Sequence, residues 1–411
     1  MRPVHIAFFN RSFYPDASAT GELLTELCED LVQRYRCRVS VVAGRSLSTA
    51  TTPSAQMRKG LLFDREHHHG INILRAKGTR LSKQWFLGRF SNYVTYFLSA
   101  CYAGLWLDRP NVVVSLTDPP IIGLAAYLVS RRFHVPLVMS YRDVFPEVAH
   151  LLEDFRNEAV NGILQRINCF LARKADRSIA LGETMRQRLI QGKGADPARV
   201  IIIEDWADCS RIMPGPKENP FSLAHGLNDK FVVMHSGNIG LSQGLEILIQ
   251  AAQRLERFPD IQVVFVGEGV KKATLENQAR TLGLNNVRFL PYQPKERLED
   301  SFASADAFVI SLKKGLAGYI VPSKLYGILA AGRPYVAAVE DACEVAAVTK
   351  QYECGLLSEP GNPDDCAQKI LTLYHDRALA LRLGTNAREA AFVFDRVKAV
   401  KAYYELCREL C

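Results

Sequence analysis

Two stretches in the second half of the chain decide the fold: residues 235–244 read HSGNIGLSQG, and residues 321–334 read VPSKLYGILAAGRP. The first follows the apolar run 231–234 and opens a helical pattern over 245–255. The second follows the apolar run 307–310 and sets a hydroxyl and a lysine at the start of another helix. A helix that begins after a strand presents unpaired backbone N–H groups to an anion. Two such helix starts in one half of a chain predict a diphosphate ligand.

The composition is that of a globular chain with room for two hydrophobic cores. Its 411 residues are 48% hydrophobic and 23% charged. The ten cysteines show no CxxC spacing, and a strand-like run at 4–9 begins almost at Met1, where a signal peptide would stand. We therefore expect a protein of the reducing cytosol without disulfides.

Short apolar, β-branched runs alternate with helical patterns along the whole chain, which is typical of parallel sheets wrapped by helices. A segment rich in proline, glycine and polar residues interrupts this alternation at 213–220. We therefore expect an α/β fold of two Rossmann-like domains facing each other across a cleft, with an N-terminal domain over 1–212, a linker over 213–229 and a C-terminal domain over 230–390. The predicted strands lie at 4–9, 38–43, 71–74, 112–116, 137–140, 178–181, 200–203, 231–234, 262–266, 287–289, 307–310 and 335–339.

Polar residues follow several predicted strands of the first half, where a ligand would lie against the carboxyl edge of the sheet. Gly21 stands at the start of a helical pattern after the loop 10–16, and a glycine there allows backbone to approach a ligand. A plain loop and helix cap explains it equally well. Asp143 and Glu147 follow the strand that ends at Ser140. Their carboxylates are candidates to hold a sugar hydroxyl or accept a proton, or they cap and solvate a helix start.

Two other patterns bear on cofactors and metals. Gly267-Glu268-Gly269 is followed by the residues VKK at 270–272, where a dinucleotide fingerprint needs a third glycine, so an NAD enzyme is not expected. Residues 66–69 read EHHH, but adjacent histidines in a strand or loop point in different directions. We therefore expect no metal site and no cofactor.

A basic and aromatic stretch concentrates the positive charge of the chain. Residues 58–89 hold eight Lys and Arg against two Asp and Glu, and so contribute +6 to the net charge of +8. Aromatic residues follow over 85–106, and residues 90–107 carry no charge. Three interpretations are open: a helix packed inside its own domain beside an exposed basic loop, contact with an anionic membrane surface, or a membrane span. Charge confined to one stretch argues against a nucleic-acid partner.

The cradle at 235–244, the turn at 267–269, the segment at 321–334 and the Asp-x-x-Pro-Glu step at 143–147 together resemble the GT-B glycosyltransferases. The chain is most similar, over essentially its whole length, to the retaining family 4 type that builds bacterial O-antigens, capsules and exopolysaccharides. The resemblance implies an acceptor domain at the N-terminus, a nucleotide-sugar domain at the C-terminus, no metal requirement, and a final helix over 391–411 that crosses back to the first domain.

The resemblance also implies which residues bind the donor. Asn238 and Gln243 stand where many relatives place an Arg and a Lys, and Tyr319 and Gly327 where many place two glutamates. Lys324 is therefore expected to neutralise the donor diphosphate, with the neighbouring serine donating beside it. The implied donor-binding residues are Gly21, Gly237, Asn238, Gly240, Gln243, Gly267, Tyr292, Ser323, Lys324 and Gly327.

The implied reaction moves a sugar, with retention, from a nucleoside-diphosphate sugar (UDP by family habit) to a lipid-linked saccharide at the cytoplasmic face of the membrane. Bond cleavage puts new negative charge on the leaving diphosphate, so preorganised donors there supply most of the catalysis. Lys324 is the expected catalytic cation, the Gly21 N–H helps from the other domain, and Asp143 or Glu147 orients the acceptor. Two alternatives are a non-catalytic nucleotide-sugar-binding or scaffold subunit, indicated by the missing glutamates, and a nucleotide-sugar epimerase.

Overall fold

The computed structural model describes residues 3–16, 18–45, 58–79, 81, 86–152 and 157–411. The chain forms two compact units. One comprises Met1–Glu204 together with Val400–Cys411, and the other comprises Asp205–Ala399.

The first unit is a mostly parallel sheet whose strands are connected by helices. Its strands are β1 (His5–Phe9), β2 (Arg38–Gly44), β3 (Phe63–His68), β4 (Ile71–Ala76), β5 (Val112–Ser115), β6 (Leu137–Ser140), β7 (Arg177–Ala180) and β8 (Val200–Ile202). Its helices are α1 (Ala19–Gln33), α2 (Phe86–Leu105), α3 (Ile122–Phe133), α4 (Glu147–Leu151), α5 (Glu158–Lys174) and α6 (Glu183–Lys193). The strand order is β3-β4-β2-β1-β5-β6-β7-β8, and β3 and β4 form an antiparallel hairpin.

The second unit is an all-parallel sheet of the same kind. Its strands are β9 (Phe231–Ser236), β10 (Ile261–Val266), β11 (Val287–Leu290), β12 (Ala307–Ser311), β13 (Tyr335–Ala338) and β14 (Gly355–Ser358), in the order β11-β10-β9-β12-β13-β14. Its helices are α7 (Pro220–Ala224), α8 (Glu246–Leu255), α9 (Lys272–Thr281), α10 (Leu298–Ala303), α11 (Lys324–Ala330), α12 (Glu344–Tyr352), α13 (Pro363–His375) and α14 (Arg377–Ala391). A last helix, α15 (Arg396–Glu409), begins in this unit and ends in the first.

Burial explains why these runs form strands. Every residue of β1, β9, β10 and β12 is buried, as expected for central strands of parallel sheets covered on both faces. Each predicted strand overlaps a strand of the structure, and the prediction of two Rossmann-like α/β domains is confirmed. Residues 205–229, predicted to be partly linker, cluster with the second unit. The predicted domain boundaries stay predictions.

The sequence missed β3 because its side chains are mostly charged or imidazole. Asp64 and Glu66 are nevertheless only 7% and 9% exposed. Lys77 Nζ lies 2.9 Å from Asp64, and Arg75 Nε donates to Glu66 at 2.8 Å. Partners on the neighbouring segment therefore neutralise carboxylates that a sequence pattern assigns to the surface.

Helix α2 covers the uncharged run from 90 to 105, and it packs inside its own unit. Tyr96, Ala100 and Ala103 are buried, and a Cβ at Gly104 would lie 2.6 Å from Val129 of α3. Among the helices in the described ranges, none combines the length and the hydropathy needed to cross a bilayer. The membrane-span interpretation of this run is therefore not supported.

Candidate functional site

Two loops at the carboxyl edge of the second sheet are joined backbone to backbone. The Gly237 N–H donates to Val266 O at 2.9 Å, and the Ile239 N–H donates to Glu268 O at 2.8 Å. A Cβ at Gly267 would lie 2.0 Å from Gly237 O, so a larger residue would force the loops apart. The loop after β9 and the loop after β10 thus form one rigid cradle, which we call the glycine cradle (residues 237–244 and 267–269).

The N–H of Gly240 is engaged within the cradle. It donates to Gln243 Oε1 at 2.9 Å, and Gln243 Nε2 donates to Ser242 Oγ at 2.8 Å. Helix α8 begins only at Glu246, so these residues form a loop before the helix and not its first turn. The helix predicted over 245–255 is therefore found directly after the cradle, with its first residue one position later, and Gln243 holds the shape of the loop. A donor contact for either residue stays a prediction.

The structure brings Lys324 to the glycine cradle. Its Nζ lies 3.2 Å from Nε2 of His235, and a Cβ at Gly237 would lie 3.7 Å from its Cε. The same His235 nitrogen lies 3.3 Å from Asn238 O. His235, the penultimate residue of β9, is fully buried and was not predicted as a site residue. A histidine directly after four apolar residues, at the start of a glycine-rich loop, was the signal that could have found it.

The charge state of this pair follows from its burial. Desolvation lowers the pKa of the Lys324 ammonium to about 7. Desolvation, with the nearby lysine, holds the pKa of His235 well below its usual range. Near pH 7 the imidazole is therefore neutral, and Lys324 supplies the one titrating positive charge of the pair. A lysine poised in this way gains its proton most readily when an anion binds beside it.

Three other predicted donor residues lie in the same unit. Ser323 precedes Lys324 at the N-cap of α11, and its hydroxyl makes no capping hydrogen bond to that helix. Tyr292 lies just beyond β11 and is 47% exposed. Gly327 lies on the second turn of α11, where a Cβ would approach Phe302 of α10 to 3.0 Å.

The packing around Gly327 favours a small residue there, and a donor contact for Gly327 stays a prediction. In the structure the space in which a side chain would begin is occupied by the Phe302 ring. Close packing of α11 against α10 therefore disfavours a longer side chain at this position.

In the first unit, the backbone N–H of Gly21 takes part in the N-cap of α1. Its N–H donates to Ser18 Oγ at 3.2 Å, and Ser18 is the N-cap of α1. This is the usual arrangement in which a serine satisfies a free N–H of the first turn. The plain cap interpretation describes this contact, and the predicted use of the Gly21 N–H for the donor phosphate stays a prediction.

Glu147 neutralises a buried lysine. Both of its carboxylate oxygens accept from Lys193 Nζ, at 2.9 and 2.7 Å, and the Lys193 side chain is 0% exposed. Gln165 also accepts from this ammonium. Asp143 lies three residues before α4's N-cap Pro146, and its N–H approaches Thr117 Oγ1 at 3.4 Å. The ion pair gives Glu147 a structural role, and the catalytic roles predicted for both carboxylates stay predictions.

A charged cluster at the carboxyl ends of β1 and β5 was missed by sequence reasoning. Arg11 pairs with Asp118 at 2.9 Å, Ser12 Oγ donates to the other Asp118 oxygen at 2.7 Å, and the Arg11 guanidinium lies 5.1 Å from the Tyr93 ring centre. Arg11 and Ser12 stand in the loop that the sequence singled out, but Asp118 is more than a hundred residues away. This edge of a parallel sheet is where such folds hold ligands.

The basic stretch carries less free charge than its sequence suggests. Arg75 is 4% exposed and paired with Glu66, and Lys77 is paired with Asp64. Arg80, Lys83 and the side chain of Arg89 lie outside the described residues. Exposed cations of this stretch within the described ranges are Arg58, Lys59 and Arg65.

Both halves of the chain match glycosyltransferase families. Residues 20–206 match the glycosyl transferase 4-like domain, and residues 218–390 match the glycosyl transferases group 1 family. The chain is 29% identical to the probable glycosyltransferase WbjE of Pseudomonas aeruginosa over 64% of its own length and 66% of that protein. It is 32% identical to the putative colanic acid biosynthesis glycosyl transferase WcaI of Escherichia coli K12, over 43% of its own length and 44% of that protein. The aligned regions thus span about half to two thirds of these relatives.

Solved structures support the fold. The Anabaena protein HepE in complex with UDP-glucose superimposes with a TM-score of 0.74 at 21% identity, over 99% of this chain and 100% of that one. At this identity the likeness establishes the architecture alone. With both sheets, the glycine cradle and the two family matches in place, the chain belongs to the group 1 family of GT-B glycosyltransferases.

Proposed function

We propose that the protein transfers a sugar from a nucleoside-diphosphate sugar, UDP favoured, to a lipid-linked saccharide acceptor in the synthesis of a cell-surface polysaccharide. The observation that carries this proposal is Lys324, held beside Gly237 and His235 at the glycine cradle. A nucleotide sugar presents a diphosphate that needs a cationic partner of this kind. HepE binds UDP-glucose and WcaI is assigned to colanic acid synthesis, which agrees with the donor and pathway class proposed.

The proposed mechanism follows from the charge that develops on the leaving group. As the anomeric C–O bond breaks, the diphosphate gains negative charge, and an ammonium already fixed beside it stabilises this state without reorganisation. Lys324 takes that role, which removes the need for a metal ion. The reaction proceeds with retention and without a protein nucleophile, the leaving phosphate helping to deprotonate the acceptor. Asp143, partly exposed after β6, orients that acceptor.

Donor turnover tests this proposal against its two alternatives. Thermal-shift measurements with UDP-, GDP- and dTDP-sugars identify the donor first. We expect slow release of free sugar and nucleoside diphosphate from that donor without an acceptor. Binding without turnover would support a scaffold subunit, and an altered sugar still joined to its nucleotide would support an epimerase.

The Lys324 pKa predicts how donor affinity depends on pH. Above pH 7 the free site loses its ammonium proton, because burial lowers the pKa of Lys324 to about 7. A bound diphosphate raises that pKa again. At any pH between the pKa of the free site and that of the bound site, binding is therefore accompanied by uptake of a proton on Lys324. We expect UDP affinity to fall as pH rises from 7 to 9, by at most about tenfold per pH unit. Calorimetry across this range measures the slope.

A flat profile in Lys324→Ala is the control for this pH dependence. The terminal phosphate of UDP has its own pKa near 6, so the range above pH 7 avoids its titration. A wild-type affinity that is constant from pH 7 to 9 would contradict the assignment of Lys324 as the titrating group.

We also propose that the protein docks peripherally on the inner face of the cell membrane. Support comes from exposed apolar side chains along α2 and just beyond its end: Leu98, Tyr102, Leu105 and Trp106 are 59%, 40%, 53% and 56% exposed. The Tyr102 ring contacts Phe63 of β3, with ring centres 6.0 Å apart. Exposed apolar and aromatic side chains beside cations are typical of surfaces that bind anionic lipid.

The three exposed cations Arg58, Lys59 and Arg65 should carry the electrostatic part of this docking. Each charge near an anionic bilayer contributes about 1 kcal/mol, less after salt screening. We expect their joint replacement by glutamine to weaken binding to anionic liposomes by about tenfold or more. Flotation with anionic liposomes measures this binding. The control variant carries glutamine at three exposed arginines of the second unit, Arg257, Arg280 and Arg382. Equal flotation of both variants would exclude this surface.

A further inference from the structure

We propose that Glu29, His68 and His69 form a binding site for a divalent transition-metal ion such as Zn²⁺ in the first unit. None of these residues takes part in the proposed transfer reaction. The site combines two imidazoles and one carboxylate, a ligand set that zinc uses in proteins with water as fourth ligand.

The three side chains meet at one oxygen atom. Nε2 of His68 lies 3.0 Å from Oε1 of Glu29, and Nδ1 of His69 lies 2.8 Å from the same oxygen. The candidate ligand atoms all lie within 4.8 Å of one another. Zinc–ligand bonds of about 2.0–2.2 Å put the corners of a tetrahedral site about 3.3 Å apart. The two contacts to Glu29 need to lengthen by a few tenths of an ångström, and the two histidine nitrogens, at most 4.8 Å apart, need to stand at about the same separation.

The turn between β3 and β4 explains how neighbouring histidines reach one point. Along a strand, adjacent side chains point to opposite faces, which is why the sequence predicted no metal site. The strand ends at His68, however, and His69 and Gly70 have φ of 44° and 82°, as a two-residue type I′ hairpin turn requires. This turn brings the His69 ring back onto His68, with ring centres 4.0 Å apart. The geometric reason given against a metal site is therefore wrong.

Neighbouring elements hold two of the ligands in place. The His68 ring is stacked on Tyr14, with ring centres 3.7 Å apart and planes 16° apart. Glu29 lies between the two ends of α1, so its backbone is held in a regular helix. The side chains of His68 and Glu29 are only 13% and 21% exposed, whereas His69 is 62% exposed. The site is thus preorganised on one side and open on the other, where an ion and a water ligand can enter.

A metal ion there would tie three segments together. It would join α1 to the β3–β4 hairpin, and through the Tyr14 stack it would support the loop after β1. Arg75 already donates to the Tyr14 carbonyl in this loop. The same loop carries Arg11 and Ser12, which contact Asp118. The ion therefore has a stabilising role, distinct from the donor phosphate chemistry.

Metal titration of the full-length chain, purified without a polyhistidine tag and treated with chelator, tests this inference. We expect one equivalent of Co²⁺ to bind with visible d–d absorption and to be displaced by Zn²⁺. Mg²⁺ and Ca²⁺ should not displace it, because they prefer all-oxygen sites. Zn²⁺ should also raise the unfolding temperature of the chelated protein.

The variants separate a metal site from a hydrogen-bonded cluster. His69→Asn removes one ligand and keeps a residue that tolerates positive φ, and Glu29→Gln removes the carboxylate. Each should weaken Co²⁺ binding by about tenfold or more. The control is His67→Asn, an exposed histidine next to the site that is not among the three ligands; its binding should equal the wild type.

Three results would overturn the proposal: no stoichiometric Co²⁺ binding, binding that survives both ligand variants, or an equal loss in His67→Asn. Circular dichroism of the chelated variants shows whether each one folds. If Glu29→Gln does not fold, His69→Asn decides alone, because its side chain lies largely in solvent.

Discussion

Lys324→Ala is expected to weaken binding of a nucleoside diphosphate by about ten- to a hundredfold, because charge-assisted contacts are typically worth about 1.5–3 kcal/mol. Lys324 is the cation that the structure places beside Gly237, with its Nζ 3.2 Å from His235. The substitution removes this ammonium from the cradle and leaves the backbone N–H groups in place. Isothermal titration with UDP at pH 7 measures the loss.

The matched control for this prediction is Lys314→Ala, which removes an exposed lysine from the loop after β12. Its affinity for UDP should equal that of the wild type within about twofold. Unchanged affinity in a folded Lys324→Ala variant would falsify the assignment of this lysine to the donor phosphate.

Glu147→Gln is expected to destabilise the first unit by about 3 kcal/mol, the lower end for breaking a buried ion pair by removing one partner. The Lys193 side chain has no exposed surface, whereas Glu147 is 26% exposed, so the variant leaves an ammonium buried with neutral partners. Urea unfolding of the full chain measures the loss, and hydrogen exchange of α4 and α6 shows where it occurs.

A double variant completes this test. Adding Lys193→Met to Glu147→Gln removes the uncompensated charge and should recover most of the lost stability. Glu158→Gln, an exposed glutamate in the first turn of α5, should cost less than about 1 kcal/mol. If Glu147→Gln keeps full stability but loses sugar transfer, Glu147 acts in catalysis, as the sequence first predicted.

The residues of the candidate site differ in how far sequence reasoning could locate them. Lys324 was placed correctly at the start of a helix beside a glycine-rich loop, because both features depend on a few consecutive residues. Its neighbour His235 opens the cradle segment but was not predicted as a site residue, since its contact with Lys324 spans 89 positions of the sequence. Gly327 was located on the right helix, but its packing partner Phe302 belongs to another helix.

The sequence by itself determined the α/β class, nearly all the strands and the position of the glycine cradle. Hydrophobic periodicity and turn-forming glycines act over short distances, so they can be read from neighbouring residues. Only the tertiary structure decided which distant side chains meet: Glu147 with Lys193 across 46 positions, and Glu29 with His68 across 39. Those contacts depend on strand order and on where each helix packs, and a local pattern carries no information on either.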